Sequence, residues 1–226
     1  MAFDPLYLYM VLPALVFTIF AQAKVSGSFN KYSKMRTSRG VTGVEAAHEI
    51  LRRAGLDNVR VERVSGRLTD HFDPRSNVIR LSDAVYSAAT VAAVGVAAHE
   101  AGHAIQYAKD YAPIKLRSAI LPVTSFGSKL ALPLVLFGFA FNMTGLINLA
   151  ILLFAAVVVF QIITLPVEFN ASSRAVNALK ETMLLTPDEI PASRKVLTAA
   201  AMTYVGALAL SLVQLLRFII IAKGRR

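Results

Sequence analysis

His99-Glu100-Ala101-Gly102-His103 sets three polar side chains into the apolar stretch "AVGVAAHEAGHAIQYA" (93–108). The spacing is H-E-x-x-H. On a helix, residues four apart share one face a turn apart, so both imidazoles can reach a single ion. Zn2+ accepts such nitrogens at about 2.0–2.1 Å, and a catalytic zinc keeps three protein ligands and one open position. Glu100 projects to the side of that face. It can take a proton from a zinc-activated water and pass it to a leaving amine, while the metal polarises the scissile carbonyl. The rival reading is a core helix with satisfied polar groups, but burying a carboxylate between two imidazoles without a cation is costly. Chance is a weak explanation, because a shuffled chain of this composition would carry the pattern about 0.002 times.

A third ligand must come from elsewhere. The chain has no Cys, which excludes disulfides and thiolate ligands and leaves His48, His71 or a carboxylate. Glu168, in "LPVEFNASSRA" (165–175), is the best placed. It falls at the start of a predicted helix, where Pro166 fits a helix entry and a carboxylate is tolerated. The apolar hairpin before it returns the chain to the side it left near residue 118. The competing reading of Glu168 is a helix N-terminal charge near a membrane interface. His48 lies on an amphipathic stretch beside Glu49, which suits a surface or packing role as well as a ligand. His71 precedes a predicted strand, as a turn residue or an oxyanion stabiliser.

The elements that must position these residues follow from composition and patterning. The chain has 226 residues, 55% of them hydrophobic, with a mean hydropathy of +0.55, which points to a membrane protein. Residues 5–23 carry no charge and are long enough to span a bilayer. Asp4, with no Lys or Arg before the run, argues for a retained helix rather than a cleaved signal. The segment 42–54 has helical period with a stop at Gly55, 58–64 alternates as a strand, and 73–82 reads as a turn and a second strand. Residues 84–108 read as one Ala-rich helix buried in protein. Two apolar runs, 120–141 and 146–165, form a predicted hairpin around "NMTG" (142–145). A polar helical segment, 167–202, breaks at "TPDEIP" (186–191), and a last apolar run covers 203–222.

The net charge of +10 does not point to nucleic acid, because no basic stripe with interleaved aromatics is present. Lys24, Lys31, Lys34, Arg36 and Arg39 instead follow directly on the first apolar run, a positive-inside signal that places residues 24–118 and 167–202 in the cytoplasm. Four spans put the terminal "KGRR" outside. Gln214 and Arg217 allow three spans and an interfacial last helix as the alternative.

Taken together and in order, "TGVEAAHEIL", "DHFDPRSNVIRLS", "GVAAHEAGHAIQYA" and "PVEFNASSRA" resemble the YugP-type neutral zinc metallopeptidases of bacterial membranes. The resemblance covers nearly the whole chain. It implies a gluzincin-like site with His99, His103 and Glu168 as zinc ligands and Glu100 as base. The chain departs from the family pattern twice. Asn170 stands where an Asp commonly follows the Phe after the third ligand. Ser172 stands where related gluzincins often carry a carboxylate supporting a ligand His; a hydroxyl can orient an imidazole N–H but raises its basicity less. Arg174 could serve there or stabilise an oxyanion.

The expected architecture is mainly α and integral to the membrane, with about four transmembrane helices and a small zincin-like α+β catalytic domain. Its parts are a transmembrane helix (1–23), a catalytic part with the H-E-x-x-H helix (24–118), a transmembrane hairpin (119–166), a second catalytic part with the third ligand (167–202) and a transmembrane or interfacial helix (203–226). The expected activity is zinc-dependent endopeptidase cleavage of polypeptides, membrane proteins among them, by a multi-pass protein of the bacterial inner membrane. Two rivals stand beside it. One is a membrane scaffold with an inactive metal site. The other is a site-2-type intramembrane protease, disfavoured by the strands and charges before the motif and by Gln106, Lys109 and Asp110 after it. The absence of G-x-x-x-x-G-K-[ST] removes the ATP-dependent membrane proteases that share "HEAGHA".

Overall fold

A computed structural model describes residues 6–223. The expectations resting on Asp4, Pro5, Arg225 and Arg226 lie outside them. A π turn, Tyr7–Val11, leads into α1 (Leu12–Tyr32). Then follow α2 (Gly43–Arg53), β1 (Arg60–Val64), β2 (His71–Asp73), β3 (Val78–Ser82), the short α3 (Asp83–Tyr86), α4 (Val91–Ala108), α5 (Ala112–Ala140), α6 (Thr144–Glu181) and α7 (Ile190–Lys223). Among the described residues, four helices are long and apolar enough to cross a membrane: Tyr7–Tyr32, α5, α6 and α7. The chain is a mainly α-helical membrane protein with a small α+β part.

Contacts divide it into two compact units. One takes the residues up to Ala21, Pro113–Pro166 and those from Thr203 onward. Small residues let its helices approach. Gly206 lies against Thr18, whose hydroxyl donates to the Gly206 and Ala14 carbonyls, and Gly127 lies against Leu153. The Arg217 guanidinium lies over the rings of Tyr7 and Phe218.

The other unit takes Gln22–Ala112 and Val167–Met202. Helix α2 opens with a capping box between Thr42 and Glu45 and ends at Gly55, whose φ is +72°. Its apolar face packs on α4 beside the sheet. Among the described residues the sheet has three strands in the order β1-β3-β2, with β1 parallel and β2 antiparallel to β3. The central strand β3 is buried on both faces, and β2 forms an edge. Asp70 fixes the entry to β2 by accepting hydrogen bonds from the Ser82 N–H and hydroxyl. Helix α4 is capped by Thr90 and buried along nearly its whole length, as its Ala-rich sequence requires.

Three sequence expectations change. The helix expected over 84–108 is two helices: the chain leaves α3 at Ser87, runs extended past Ala89, and restarts at Val91 because Thr90 bridges to Arg36 and then caps α4. His71 opens a strand instead of sitting in a turn. Glu168 does not lie at a helix start, and Pro166 is inside a continuous α6. Proline removes one N–H from the helical ladder. The helix nevertheless continues, because Val167, Ala171, Ala175 and Leu179 form a buried stripe at helical spacing on the far side of it.

Candidate metal centre

The centre is built from α4 and α6. Gly102, between the two motif histidines, lets the helices touch. A Cβ placed there would lie 2.7 Å from the Ala171 carbonyl oxygen, closer than real contacts allow. That approach brings Glu168 across from the histidines. The three residues each offer one ligand atom, and these atoms lie within 4.8 Å of one another. His99 Nε2 is 3.3 Å and His103 Nε2 3.6 Å from the same oxygen, Glu168 Oε2. The two rings stand nearly perpendicular, with centroids 4.7 Å apart. Side-chain exposure is 2% for Glu168 but 15% for His99, so the cluster opens on the His99 side.

Hydrogen bonds fix which nitrogen faces the centre. Gln106 is wholly buried, and its amide nitrogen donates to the Val167 carbonyl at 2.8 Å and to Asn170 Oδ1 at 2.9 Å. Its oxygen is therefore turned to His103 Nδ1, 3.0 Å away, which must carry the hydrogen. Nε2 of His103 is left as an acceptor. Ser172 Oγ lies 3.2 Å from His99 Nδ1 and can accept its N–H in the same way. Three acceptors then converge on one point. Two atoms bound at 2.0–2.2 Å with tetrahedral angles lie about 3.3–3.6 Å apart. The observed 3.3 and 3.6 Å match that spacing, so the donor set fits a zinc ion.

Glu100 is buried beside this cluster. Burial pushes its carboxyl up to about 7. The neighbouring His99 imidazole opposes the rise, the Glu168 and Asp70 carboxylates add to it, and the Phe72 backbone N–H on β2 opposes it.

The remaining sequence candidates separate. Ser172 reaches His99 directly. Asn170 acts one step back, accepting from Gln106 and from Arg174 Nε at 2.7 Å. Arg174 also lines a cavity of about 270 Å3 with Arg53, Lys109 and Glu181. His71 is exposed, and its Nδ1 is 2.8 Å from the Thr69 carbonyl oxygen. His48 is exposed on α2. Neither joins the cluster. Gln106 is the residue sequence reasoning missed: it stands three positions after His103, on the same helical face, where a lone amide in an apolar helix has to find a partner.

Comparison with known proteins adds a family. The model for a family described as "Putative neutral zinc metallopeptidase" matches residues 7–223. The protein named "Putative membrane protease YugP" from Bacillus subtilis (strain 168) is 47% identical over 216 residues, 96% of each chain. No solved structure matches.

Proposed function

The chain belongs to the neutral zinc metallopeptidase family, and on that premise we propose that it is a membrane-anchored endopeptidase whose zinc is held by His99, His103 and Glu168. The observation that carries this reading is the convergence of two imidazole nitrogens on a buried carboxylate oxygen, each at tetrahedral ligand spacing from it and all three within 4.8 Å, with no thiol in the chain to compete. When bound there, zinc would supply Lewis-acid polarisation of a peptide carbonyl and acidify a water.

The protein groups do the rest. Glu100 takes the proton of the attacking water on its carboxylate and delivers it to the leaving amine nitrogen. The hydrogen bonds that Glu100 accepts from the Phe72 N–H and Asp70 from the Ser82 N–H hold the edge strand β2 beside the base. An extended substrate can add to that edge by main-chain hydrogen bonding. His103 is kept in one tautomer by Gln106, and His99 is oriented by Ser172.

The five cations from Lys24 to Arg39 support a cytoplasmic position for the catalytic residues in a bacterial inner membrane. Purified protein with about one zinc per chain, cleaving casein, and a Glu100→Gln variant that keeps zinc but loses cleavage, are the expected results. Zinc without cleavage in the wild type would mark a scaffold with an inactive site. A reporter at residue 30 that reads as exterior would overturn the topology.

A further inference from the structure

Two cavities lie apart from the metal centre, both within the unit formed by Gln22–Ala112 and Val167–Met202. The first, about 630 Å3, is lined by the buried Leu185 and Ile190, the exposed Met183, and the cations Arg39, Lys180 and Arg194. The second, about 730 Å3, runs between α1, with Lys24, Lys31 and Tyr32, and the first turns of α7, with Arg194, Lys195 and Met202. Pro191 and Arg194 line both, and each volume falls in the range of small-molecule sites. Six cations line the pair, and neither lining includes an Asp or Glu. Of the acids beside them in sequence, Glu181 and Asp188 are exposed and belong to neither lining, and Glu189 is turned inward, where it accepts hydrogen bonds from the Ser38 N–H and hydroxyl and from the Thr186 N–H.

We propose that these adjoining cavities, which share Pro191 and Arg194, bind an anionic phospholipid, its phosphate held around Arg194 and its acyl chain along the apolar lining. Cations beside an apolar lining complement an amphiphile better than a fully solvated anion, because their charges meet the headgroup while the lining covers hydrocarbon. The sequence places the site where lipid is the neighbour at hand. Lys24 is the first charged residue after the run 5–23, and Met202 directly precedes the run 203–222, so both walls of the second cavity continue into helices able to cross a membrane. Basic pockets at the ends of such helices take anionic headgroups.

The test uses the full chain in detergent micelles containing equal phosphatidylglycerol and phosphatidylcholine, with retained lipid read by native mass spectrometry. Phosphatidylglycerol is expected to be retained preferentially, and inorganic phosphate not to displace it. Arg194→Gln with Lys195→Gln, and separately Lys24→Gln with Lys31→Gln on the other helix, should each weaken retention by roughly fivefold per cation removed. Arg75→Gln, an exposed cation outside both cavities, should change nothing. Equal retention of the two lipids, displacement by inorganic phosphate, or the same loss in Arg75→Gln would overturn the proposal.

Discussion

Replacing Gln106 by Leu tests the logic of the centre without touching a ligand or the base. The side chain is 0% exposed and makes three hydrogen bonds, at 2.8, 2.9 and 3.0 Å. Leu is close in volume, so no large cavity opens. The cost falls on the partners. Asn170 keeps its bond from Arg174, and Val167 lies within a helix whose own ladder can use its carbonyl, so these two lose little. His103 Nδ1–H is left without its acceptor, a cost of about 1–3 kcal/mol for a buried polar group. It can recover by turning its ring or moving the proton to Nε2, and either change withdraws a zinc ligand. Loss of such a supporting partner typically lowers metal affinity about 10–100-fold. Gln106→Glu should be no better. A carboxylate would still accept from His103, but it would face the Val167 carbonyl and Asn170 Oδ1, two acceptors, where the amide had donated. The assay is zinc affinity by chelator competition at neutral pH, paired with thermal unfolding of the metal-free protein. Zinc affinity within twofold of wild type in Gln106→Leu would refute the argument that this amide sets the ligand tautomer.

Other outcomes follow from the same geometry. Glu100→Gln should keep zinc and lower the cleavage rate by about 10²–10⁴, measured as turnover at saturating substrate; equal rates would remove Glu100 as the proton carrier. Glu168→Ala should abolish stoichiometric zinc, read by elemental analysis, and unchanged zinc would mean the third ligand lies elsewhere. Gly102→Ala puts a methyl 2.7 Å from the Ala171 carbonyl oxygen, so α4 and α6 must part and thermal stability should fall by about 1–3 kcal/mol. Although burial acts to raise it, hydrogen bonds from Thr186 and Ser38 hold the Glu189 carboxyl below its usual value. A depressed folded-state pKa contributes stability above the unfolded value of about 4.3, and that stability is lost as pH falls through the lower folded value. Glu189→Gln should therefore cost stability at neutral pH and cost less under acid; an equal loss at both, followed by thermal melting, would contradict this.

The H-E-x-x-H spacing is legible because a helix converts a four-residue interval into a shared face, and the approach of Glu168 to the two histidines was legible because one carboxylate stood where the hairpin returned. The local path around Glu168 was not legible. Pro166 is a helix breaker by every local rule, and only the buried stripe beyond it, whose partners are remote in sequence, shows why the helix runs through. The strand β2 is three residues long and exists because β3 and Glu100 claim its backbone, which no alternation over so short a stretch reveals. The break at Ser87 likewise depends on Arg36, more than 50 residues earlier in the chain. Gln106 had a local signal, its interval from His103, but its burial and three partners are tertiary facts.

Ligand, ligand support and relay all sit on two rods. Helix α4 carries His99, Glu100, His103 and Gln106, and α6 carries Val167, Glu168, Asn170 and Ser172. The centre is thus governed by one variable, the axial setting of α6 against α4, with the Gly102–Ala171 contact acting as its detent. A slip of one residue is about 1.5 Å of travel and 100° of rotation. It would carry Glu168 away from both imidazoles, Ser172 from His99 and Asn170 from Gln106 in a single movement. Such a centre is lost whole rather than piecemeal, so a mutation that loosens the detent should yield a mixture of fully competent and fully dead molecules, not a uniformly weakened population.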